Sequence, residues 1–271
     1  MAAQMDGKKV LITGATDGIG LHTAKQLARM GADVLVHGRN QKKAEAAAKE
    51  VARAGGSKNT VRFYAADLAS LDETKALAQQ VQRDHPSLDI LVNNAGVFAD
   101  RMVTTGDGYE LTWQVNVLAP YVLGALLVNA VKERIVNVSS ISAGSRINFD
   151  NLNQEKGFDQ HNAYSLSKLA MMMITAEQAE RLGQKKPTVN CLDPGTVNTK
   201  MLIAGWGPCG ISIEDANYEL HLATSPGLAT TSGKYFVYNK ERKMPGAVYD
   251  KQIRSRLWQV LEEQTGVTFP P

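Results

Sequence analysis

A tyrosine and a lysine lie four residues apart in the stretch HNAYSLSK at 161–168, which precedes the apolar run LAMMMITA. If this segment is helical, the Tyr164 hydroxyl and the Lys168 ammonium point into the same space, because residues four apart share a helix face. A free tyrosine has a pKa of about 10, and a nearby cation stabilises the phenolate and lowers that pKa. Such a pair could exchange a proton with a substrate oxygen. The same spacing is frequent by chance, so the pair alone does not establish a site.

The elements that would hold this pair alternate between strands and helices. Apolar side chains at helical spacing predict a helix over 44–52, and Ser70 with Glu73 is typical of a capping box that begins another helix. Strands that alternate with helices predict parallel βαβ units. We therefore expect an α/β fold with a doubly wound, seven-stranded parallel sheet flanked by helices on both faces. The runs that predict the strands are 10–12, 34–36, 61–64, 90–92, 135–138, 188–192 and 235–237.

The composition is that of a globular protein of ordinary charge. Apolar residues make up 44% and charged residues 21%, and 30 basic against 27 acidic side chains leave a formal charge of +3. Because the net charge is small and the basic residues are scattered, the composition does not support binding to nucleic acid. No apolar run approaches the roughly 20 residues of a membrane helix, so we expect a cytoplasmic protein without a membrane span. The 271 residues are expected to form a single domain.

Cysteine and histidine show no metal-ligand pattern in the sequence. The two cysteines, Cys191 and Cys209, have no ligand spacing, and the five histidines form no H-x3-H motif or cluster. We predict no metal site, and the low cysteine count fits a reducing compartment.

A glycine-rich turn follows the first predicted strand. Gly14, Gly18 and Gly20 lie in the stretch VLITGATDGIG, immediately before a predicted helix over 19–30. Free N–H groups and the helix dipole favour an anion at such a helix start, and a glycine leaves room for a pyrophosphate that any Cβ would block. The position of these glycines between strand and helix predicts a dinucleotide site.

The end of the second predicted strand indicates which dinucleotide is bound. Sites that prefer NAD usually carry a carboxylate here for the ribose 2′-hydroxyl, whereas this chain reads VLVHGRN, with Gly38 followed by Arg39. Arg39, together with Lys42 or Lys43, could bind a 2′-phosphate. This pattern favours NADP(H), although an arginine after a strand is also a common surface residue.

Six motifs resemble, in order, those of the short-chain dehydrogenase/reductase family. They are TGATDGIG at 13–20, NNAG at 93–96, the asparagine of QVNVL at 116, the serines of RIVNVSS at 139–140, YSLSK at 164–168 and PGTVNT at 194–199. Within the family, DGYELTWQVN, NQEKG and SRLWQVLEEQTG resemble the retinol dehydrogenase branch, which includes the WW-domain-containing oxidoreductase. The resemblance covers nearly the whole chain and implies a Rossmann fold.

The resemblance implies a catalytic tetrad and a set of cofactor contacts. In the tetrad, Tyr164 exchanges the proton, Lys168 stabilises the phenolate and holds the nicotinamide ribose, and Ser140 hydrogen-bonds the substrate oxygen. Asn116 binds a water that connects to the lysine. The implied cofactor contacts are Gly14, Thr16, Asp17, Gly18, Ile19, Gly20, Arg39, Asn40, Asp67, Leu68, Asn94, Ala95, Gly96, Tyr164, Lys168, Pro194, Gly195, Thr196, Val197 and Thr199.

The residues and the resemblance together predict an NADP-dependent oxidoreductase that interconverts a carbonyl and an alcohol by hydride transfer. A carbonyl that accepts hydride becomes an alkoxide, so it needs a proton donor and a hydrogen bond in place beforehand. An alternative is a non-catalytic protein that binds NADP(H) as a redox sensor or scaffold. Such a protein has no need of four catalytic side chains.

Two segments could shape the substrate side. The 24-residue interval from Ser140 to Tyr164 is longer than in most of the family and is expected to bring Ile147, Phe149, Leu152 and Phe158 near the mouth of the site. The segment 199–225 contains Met201, Leu202, Ile203 and Trp206 and is expected to form an apolar lid. An apolar carbonyl or alcohol is the predicted substrate. The apolar stretch 123–128 permits a homodimer or homotetramer, as the family commonly forms.

Overall fold

The computed structural model describes residues 5–56 and 59–270 of the chain. Within this part, eight strands form one sheet in the order β3-β2-β1-β4-β5-β6-β7-β8. Strands β1 to β7 are parallel, and β8 runs antiparallel to β7. The strands are β1 Lys9–Ile12, β2 Asp33–Gly38, β3 Val61–Ala65, β4 Leu88–Asn93, β5 Val131–Val138, β6 Thr188–Leu192, β7 Tyr235–Val237 and β8 Lys240–Arg242.

Helices cover both faces of this sheet, as the alternating pattern predicts. They are α1 Gly18–Arg29, α2 Gln41–Gly55, α3 Leu71–Asp84, α4 Leu111–Trp113, α5 Ala119–Leu127, α6 Gln160–Leu182, α7 Lys200–Trp206, α8 Tyr218–Thr224, α9 Gly246–Tyr249 and α10 Lys251–Thr265. A π-helix over Gln114–Leu118 joins α4 to α5, and 3₁₀ turns lie at Phe149–Asn151, Ile213–Asp215 and Pro226–Leu228. One buried cluster packs α1, α2 and α8 on one face, and a larger one packs α3, α5, α6 and α10 on the other.

The eighth strand is a departure from the expected seven. Each of the seven predicted runs lies in one of the parallel strands, whereas β8 is a short edge strand whose three residues are exposed. It pairs with β7 through a two-residue turn at Tyr238 and Asn239, which have φ values of 50° and 61°. Positive φ at both central positions is the geometry of a hairpin turn, but Tyr-Asn lacks the usual glycine signal. An exposed, charged edge strand also lacks the apolar pattern of the buried strands.

Local sequence explains where helices begin. The Ser70 hydroxyl accepts a hydrogen bond from the Glu73 backbone N–H at 3.2 Å, as the predicted capping box requires. The Glu73 carboxylate, however, accepts from the Asp67 N–H at 2.7 Å rather than from Ser70. In α2 the predicted apolar face is buried at Ala44 and Val51. The cap fixes where α3 begins, and the buried face fixes how α2 packs against the sheet.

The strand order reverses between β1 and β4, because β1 pairs with β2 on one side and with β4 on the other. Crossovers from these two strands go to opposite faces, so the loops that follow them diverge and leave a crevice at their carboxyl ends. The glycine-rich turn follows β1, and the NNAG motif follows β4. The sheet therefore brings these two predicted cofactor-binding motifs together at the carboxyl ends of its parallel strands.

Helix α10 packs along α6, and residues 123–128 are largely buried within this chain. Leu123 and Leu127 have no exposed surface and belong to the core cluster shared with α10. The apolar character of this stretch is thus explained by packing inside one subunit, and subunit pairing remains a prediction. Within the described residues, no helix combines the length and the apolar surface needed to cross a bilayer.

Candidate active site

The crevice at the carboxyl edge is a cleft of about 370 Å³. This volume is in the range of small-molecule sites. Of the predicted residues, the following line the cleft: Gly14, Thr16, Asp17, Gly18, Ile19, Gly20, Arg39, Asp67, Leu68, Asn94, Ala95, Gly96, Tyr164, Lys168, Pro194 and Thr199. Six predicted residues lie outside this lining, namely Asn40, Asn116, Ser140, Gly195, Thr196 and Val197.

The glycine-rich turn has no room for side chains. Gly14 and Gly18 have φ values of +65° and +54°, and a Cβ at Gly14 would lie 2.8 Å from Cα of Ala95. At Gly20, a Cβ would lie 2.8 Å from the Gly14 carbonyl oxygen and would also collide with the Asn94 amide. Glycine is therefore required at Gly14 and Gly20 by close packing against Asn94 and Ala95, which holds the turn at the start of α1, where a pyrophosphate would bind. The residues present fit a dinucleotide.

Two side chains that line the cleft also hold this turn in place. The Asn94 amide donates to the carbonyl oxygens of Thr13 at 2.7 Å and Gly14 at 3.2 Å. The Gly14 N–H donates to Nδ1 of His37 at 3.3 Å, while His37 Nε2 lies 3.1 Å from the Ala66 carbonyl oxygen. Burial lowers the pKa of His37 to about 4. The imidazole is therefore neutral near pH 7, with Nδ1 accepting and Nε2 donating.

Arg39 and Asn40 follow β2 at the mouth of the cleft. Arg39 is exposed, lines the cleft and forms no salt bridge among the described residues. Asn40 is the N-cap of α2, where its side chain accepts from the Lys43 N–H at 3.1 Å. Arg39 therefore has a guanidinium available to an anion, whereas the Asn40 oxygen is used by the helix.

Tyr164 and Lys168 lie on one face of α6, as their spacing predicts. Both are buried, and the Lys168 ammonium nitrogen lies 5.3 Å from the centre of the Tyr164 ring. Lys168 donates to the Val138 carbonyl oxygen at 3.0 Å. The Ser140 hydroxyl hydrogen-bonds the Tyr164 side chain and accepts from the Ser142 N–H at 3.1 Å. Three of the four tetrad residues are therefore in contact.

The protonation of Tyr164 differs from the sequence expectation. Burial raises the pKa of Tyr164 to about 12, the bond to Ser140 lowers it in part, and the charge of Asp193 raises it further. Lys168 points to a backbone carbonyl and does not offset the burial. Burial lowers the pKa of Lys168 to about 8, against the opposing effect of the Asp193 and Glu219 charges. The structure thus holds a protonated phenol beside an ammonium group near neutral pH.

Asn116 lies in the π-helix that precedes α5. Its Oδ1 accepts from the Val97 N–H at 2.8 Å, and its Nδ2 donates to the Val97 carbonyl oxygen at 3.0 Å and to Ser167 Oγ at 3.1 Å. These bonds tie the loop after β4 to α6. They satisfy the amide and explain why an asparagine is tolerated here. Its expected role in binding a water remains a prediction.

The segment after β6 is held by the residues that follow it. The Thr196 carbonyl oxygen accepts from the Ile211 N–H at 2.8 Å, and Val197 is buried beside the same residue. Gly195 has a φ of +86°, and a Cβ there would lie 2.8 Å from the Tyr218 ring. Thr199 is the N-cap of α7 and accepts from the Leu202 N–H at 3.2 Å. These contacts place Gly195, Thr196 and Val197 behind the cleft wall.

Helix α7 contacts the glycine-rich turn at one end and the Tyr164 ring at the other. The Lys200 ammonium forms an ion pair with Asp17, which caps α1 beside the glycine-rich turn. At the other end of α7, the Trp206 ring packs against Tyr164 at 5.5 Å and Phe98 at 4.8 Å between ring centres. His161 lies 5.2 Å from Trp206 by the same measure. The Tyr164 ring is therefore covered by an aromatic cluster formed by Phe98, His161 and Trp206.

The long interval before Tyr164 packs away from the cleft. Leu152 is buried in the core, and Ile147 and Phe149 pack against the same cluster. The Arg256 guanidinium of α10 lies 4.2 Å from the centre of the Phe149 ring. The cleft lining includes none of these residues, nor Phe158. Phe149 and Leu152 lie beside Val260 and Gln264 of α10, so the expectation that they line the substrate side is not met by the cleft lining.

Several lining residues were not found from the sequence. His37 and Glu219 are buried polar residues on a strand and a helix, and Val97, Leu111 and Val115 are apolar. A buried histidine in the run VLVHG was a local signal, because the interior of a parallel strand is usually apolar. The sequence held no comparable signal for Glu219.

The chain matches the sequence profile of the short chain dehydrogenase family over residues 8–205. It is 36% identical to retinol dehydrogenase 14 of Mus musculus over 97% of this chain and 87% of the mouse protein. A solved structure of a Mycobacterium paratuberculosis protein superposes with a TM-score of 0.83 at 28% identity, covering 100% of this chain and 99% of that one. A short chain dehydrogenase from Burkholderia cenocepacia J2315, solved in complex with NADP, gives 0.68 at 26% identity, with 86% and 97% covered.

Proposed function

The chain belongs to the short-chain dehydrogenase family, in its retinol dehydrogenase-like branch, and from this premise we propose that it is an NADP-dependent oxidoreductase that reduces apolar aldehydes or ketones. Membership in the family supports an oxidoreductase that interconverts alcohols and carbonyls. The observation that carries the finer proposal is the buried Tyr164 phenol, hydrogen-bonded to Ser140 beside the Lys168 ammonium.

In this proposal the chain's own residues bind the carbonyl oxygen and supply its proton. The glycine-rich turn and Arg39 would hold a nicotinamide cofactor, which would supply hydride to the carbonyl carbon. Ser140 donates a hydrogen bond to the oxygen as it gains negative charge, and Tyr164 transfers its phenolic proton to that oxygen. The resulting phenolate lies beside the Lys168 ammonium, which in this proposal turns from the Val138 carbonyl oxygen to stabilise it until solvent returns the proton. The reverse sequence oxidises an alcohol.

The proposed preference for NADP rests on Arg39. Its guanidinium is exposed at the cleft, and the strand end before it carries Gly38 where an NAD site would carry a carboxylate. A 2′-phosphate would meet a cation there and would not meet the carboxylate that an NAD site carries at this strand end. The solved relative from Burkholderia cenocepacia, which binds NADP, supports this cofactor.

The proposed substrate class rests on the lid, segment 199–225. Trp206 and Phe98 cover the Tyr164 ring, and Met201 lines the cleft from the same helix as Trp206. A substrate that reaches Tyr164 would contact these side chains and gain from burying apolar surface against them. The similarity to a retinol dehydrogenase supports an apolar alcohol or carbonyl.

The proposal is tested by turnover of a panel of aliphatic, aromatic, steroid and retinoid aldehydes and ketones, each with NADPH and with NADH. Consumption of NADPH by apolar members, with much slower use of NADH, is the expected result. Tight NADPH binding with no turnover on the panel would instead support the sensor or scaffold role.

The pH dependence of reduction provides a second test. Reduction needs Tyr164 protonated and Lys168 cationic, and their pKa values are about 12 and about 8. Both conditions hold below pH 8, so kcat/KM is expected to be constant through neutral pH and to fall as pH rises through about 8 and Lys168 loses its proton. A profile measured with NADPH and an apolar aldehyde checks this, and a rate that rises across pH 8 would contradict it.

Replacing Trp206 with alanine tests the lid. The variant loses the aromatic surface over Tyr164, and we expect KM for an apolar aldehyde such as decanal to rise about tenfold, which corresponds to about 1.4 kcal/mol of lost contact. Tyr249→Ala is the control, because Tyr249 is an exposed aromatic residue of α9 that lies outside both the cleft lining and the lid. Equal KM values for wild type and Trp206→Ala would show that the lid does not contact substrate.

A further inference from the structure

We propose that Asp193 is a positioning residue of this site. It ties the loop after β5, which carries Ser140, to the loop after β6, which carries Pro194. It also sets the pH range in which Tyr164 and Lys168 exchange protons. The inference rests on the proposed function, because it names a residue outside the tetrad that acts through the tetrad. Asp193 is a buried carboxylate that has no role in the proposed reaction itself.

The Asp193 carboxylate joins two loops at the carboxyl edge of the sheet. One oxygen, Oδ1, accepts from the Ile141 N–H at 2.8 Å, and the other, Oδ2, accepts from the Gly195 N–H at 2.9 Å. Ile141 directly follows Ser140, and Gly195 directly follows Pro194, which lines the cleft. The Asp193 N–H itself donates to the Phe236 carbonyl oxygen at 2.8 Å. The carboxylate is therefore anchored to the sheet while it fixes the spacing between the two loops.

The same carboxylate belongs to a buried group of charges. Asp193 is 2% exposed, and its charge interacts with that of buried Lys168 of α6, which also interacts with buried Glu219 of α8. The Asp193 charge also acts on Tyr235 of β7, which is affected in turn by Cys191 of β6, and burial raises the pKa of both Tyr235 and Cys191. On the outer side, Tyr164 faces Ser140 and the aromatic cluster that contains His161. Lys168 is the cation of this group.

The Asp193 charge shifts the pKa of Tyr164 and the pKa of Lys168 in the same direction. Its negative charge raises the pKa of Tyr164 and raises that of Lys168, because a negative charge favours the protonated form of either group. Burial raises the pKa of Glu219 to about 7, so its charge acts on Lys168 mainly above neutral pH. Removing the Asp193 charge should therefore make both Tyr164 and Lys168 lose their protons at lower pH. Because the two groups are coupled, the shift appears in their joint titration.

The test compares Asp193→Asn with a matched control, Glu110→Gln. Glu110 is 1% exposed, and its carboxylate oxygens accept from the Thr112 and Trp113 N–H groups at 2.8 Å each. It is thus a buried carboxylate with the same bonding, but its charge does not contribute to the pKa of Tyr164 or Lys168. Both substitutions exchange a carboxylate for an amide of similar size.

Two readouts are measured on the full chain. With NADPH and decanal, Asp193→Asn is expected to move the alkaline fall of kcat/KM to lower pH and to reduce the maximal rate about 10- to 100-fold, since Ser140 loses its support. With [ε-13C]lysine-labelled protein, the titration midpoint of Lys168 is expected to move to lower pH; the signal is identified by its loss in Lys168→Arg. Glu110→Gln is expected to leave both midpoints where they are in wild type.

The lysine titration does not depend on turnover, so it separates the two proposals. A shifted Lys168 midpoint in a protein that reduces nothing would support the role of Asp193 and overturn the reductase. Unchanged midpoints in Asp193→Asn, or equal shifts in Glu110→Gln, would overturn the role of Asp193. If Asp193→Asn does not fold, Asp193→Ser is measured in the same way, because its hydroxyl can accept one of the two N–H bonds without a charge.

Discussion

Replacement of Tyr164 by phenylalanine is expected to lower kcat/KM for carbonyl reduction by about 10²- to 10⁴-fold, the usual contribution of a positioned general acid. The variant keeps the ring that packs against Phe98 and Trp206, so the fold and the lid should be preserved. It removes the only proton that the proposed reaction delivers to the substrate oxygen. The dissociation constant of NADPH, measured from the change in cofactor fluorescence, is expected to stay within a few-fold of wild type. The reason is that the substitution leaves Arg39 and the glycine-rich turn intact.

Tyr121→Phe is the matched control for this loss. The Tyr121 hydroxyl is also buried and donates to the Val267 carbonyl oxygen at 2.9 Å, away from the cleft. Removing it should cost about 1 kcal/mol of folding stability and leave turnover unchanged. If Tyr164→Phe reduced carbonyls as fast as wild type, the proton would come from elsewhere and the proposed mechanism would be wrong.

The second large effect is expected from Arg39→Asp. This change removes the guanidinium proposed to bind the 2′-phosphate and places a carboxylate where it repels that phosphate and can accept from a ribose hydroxyl. Breaking one charged contact of this kind costs about 2–5 kcal/mol. The ratio of kcat/KM for NADPH to that for NADH should therefore fall by about 10²-fold or more.

The matched control is Arg29→Asp, which changes the net charge equally. Arg29 lies in the last turn of α1, outside the cleft lining, and donates to Gln26. The cofactor ratio of this variant is expected to match wild type at the same ionic strength. An unchanged ratio in Arg39→Asp would show that the NADP preference comes from other residues, and Lys42 and Lys43 would be examined next.

The features that the sequence predicted well are those governed by local rules. Apolar runs located the parallel strands, because strands buried on both faces exclude polar residues. Gly14 and Gly20 marked the turn, because any side chain there would collide with Ala95 or Asn94. Tyr164 and Lys168 were expected to share a face, and the helix places them so.

The features that the sequence did not predict depend on contacts between distant residues. The raised pKa of Tyr164 follows from burial and from Asp193, which is 29 positions away in sequence, and spacing along one helix gives no information on either. Asn94 lines the cleft, and its amide also donates to the carbonyl oxygens of Thr13 and Gly14, two bonds that the sequence did not predict. Phe149 was expected near the cleft because apolarity alone does not indicate which surface a loop covers.

Helix α7 is only seven residues long, so it spans about 10 Å. Its first residue, Lys200, is paired with Asp17 at the glycine-rich turn, and its last, Trp206, lies on the Tyr164 ring. One seven-residue helix therefore contacts both the glycine-rich turn and the Tyr164 ring. The proposed dinucleotide end and the proposed substrate end of the cleft thus share a wall that is only about two helical turns long.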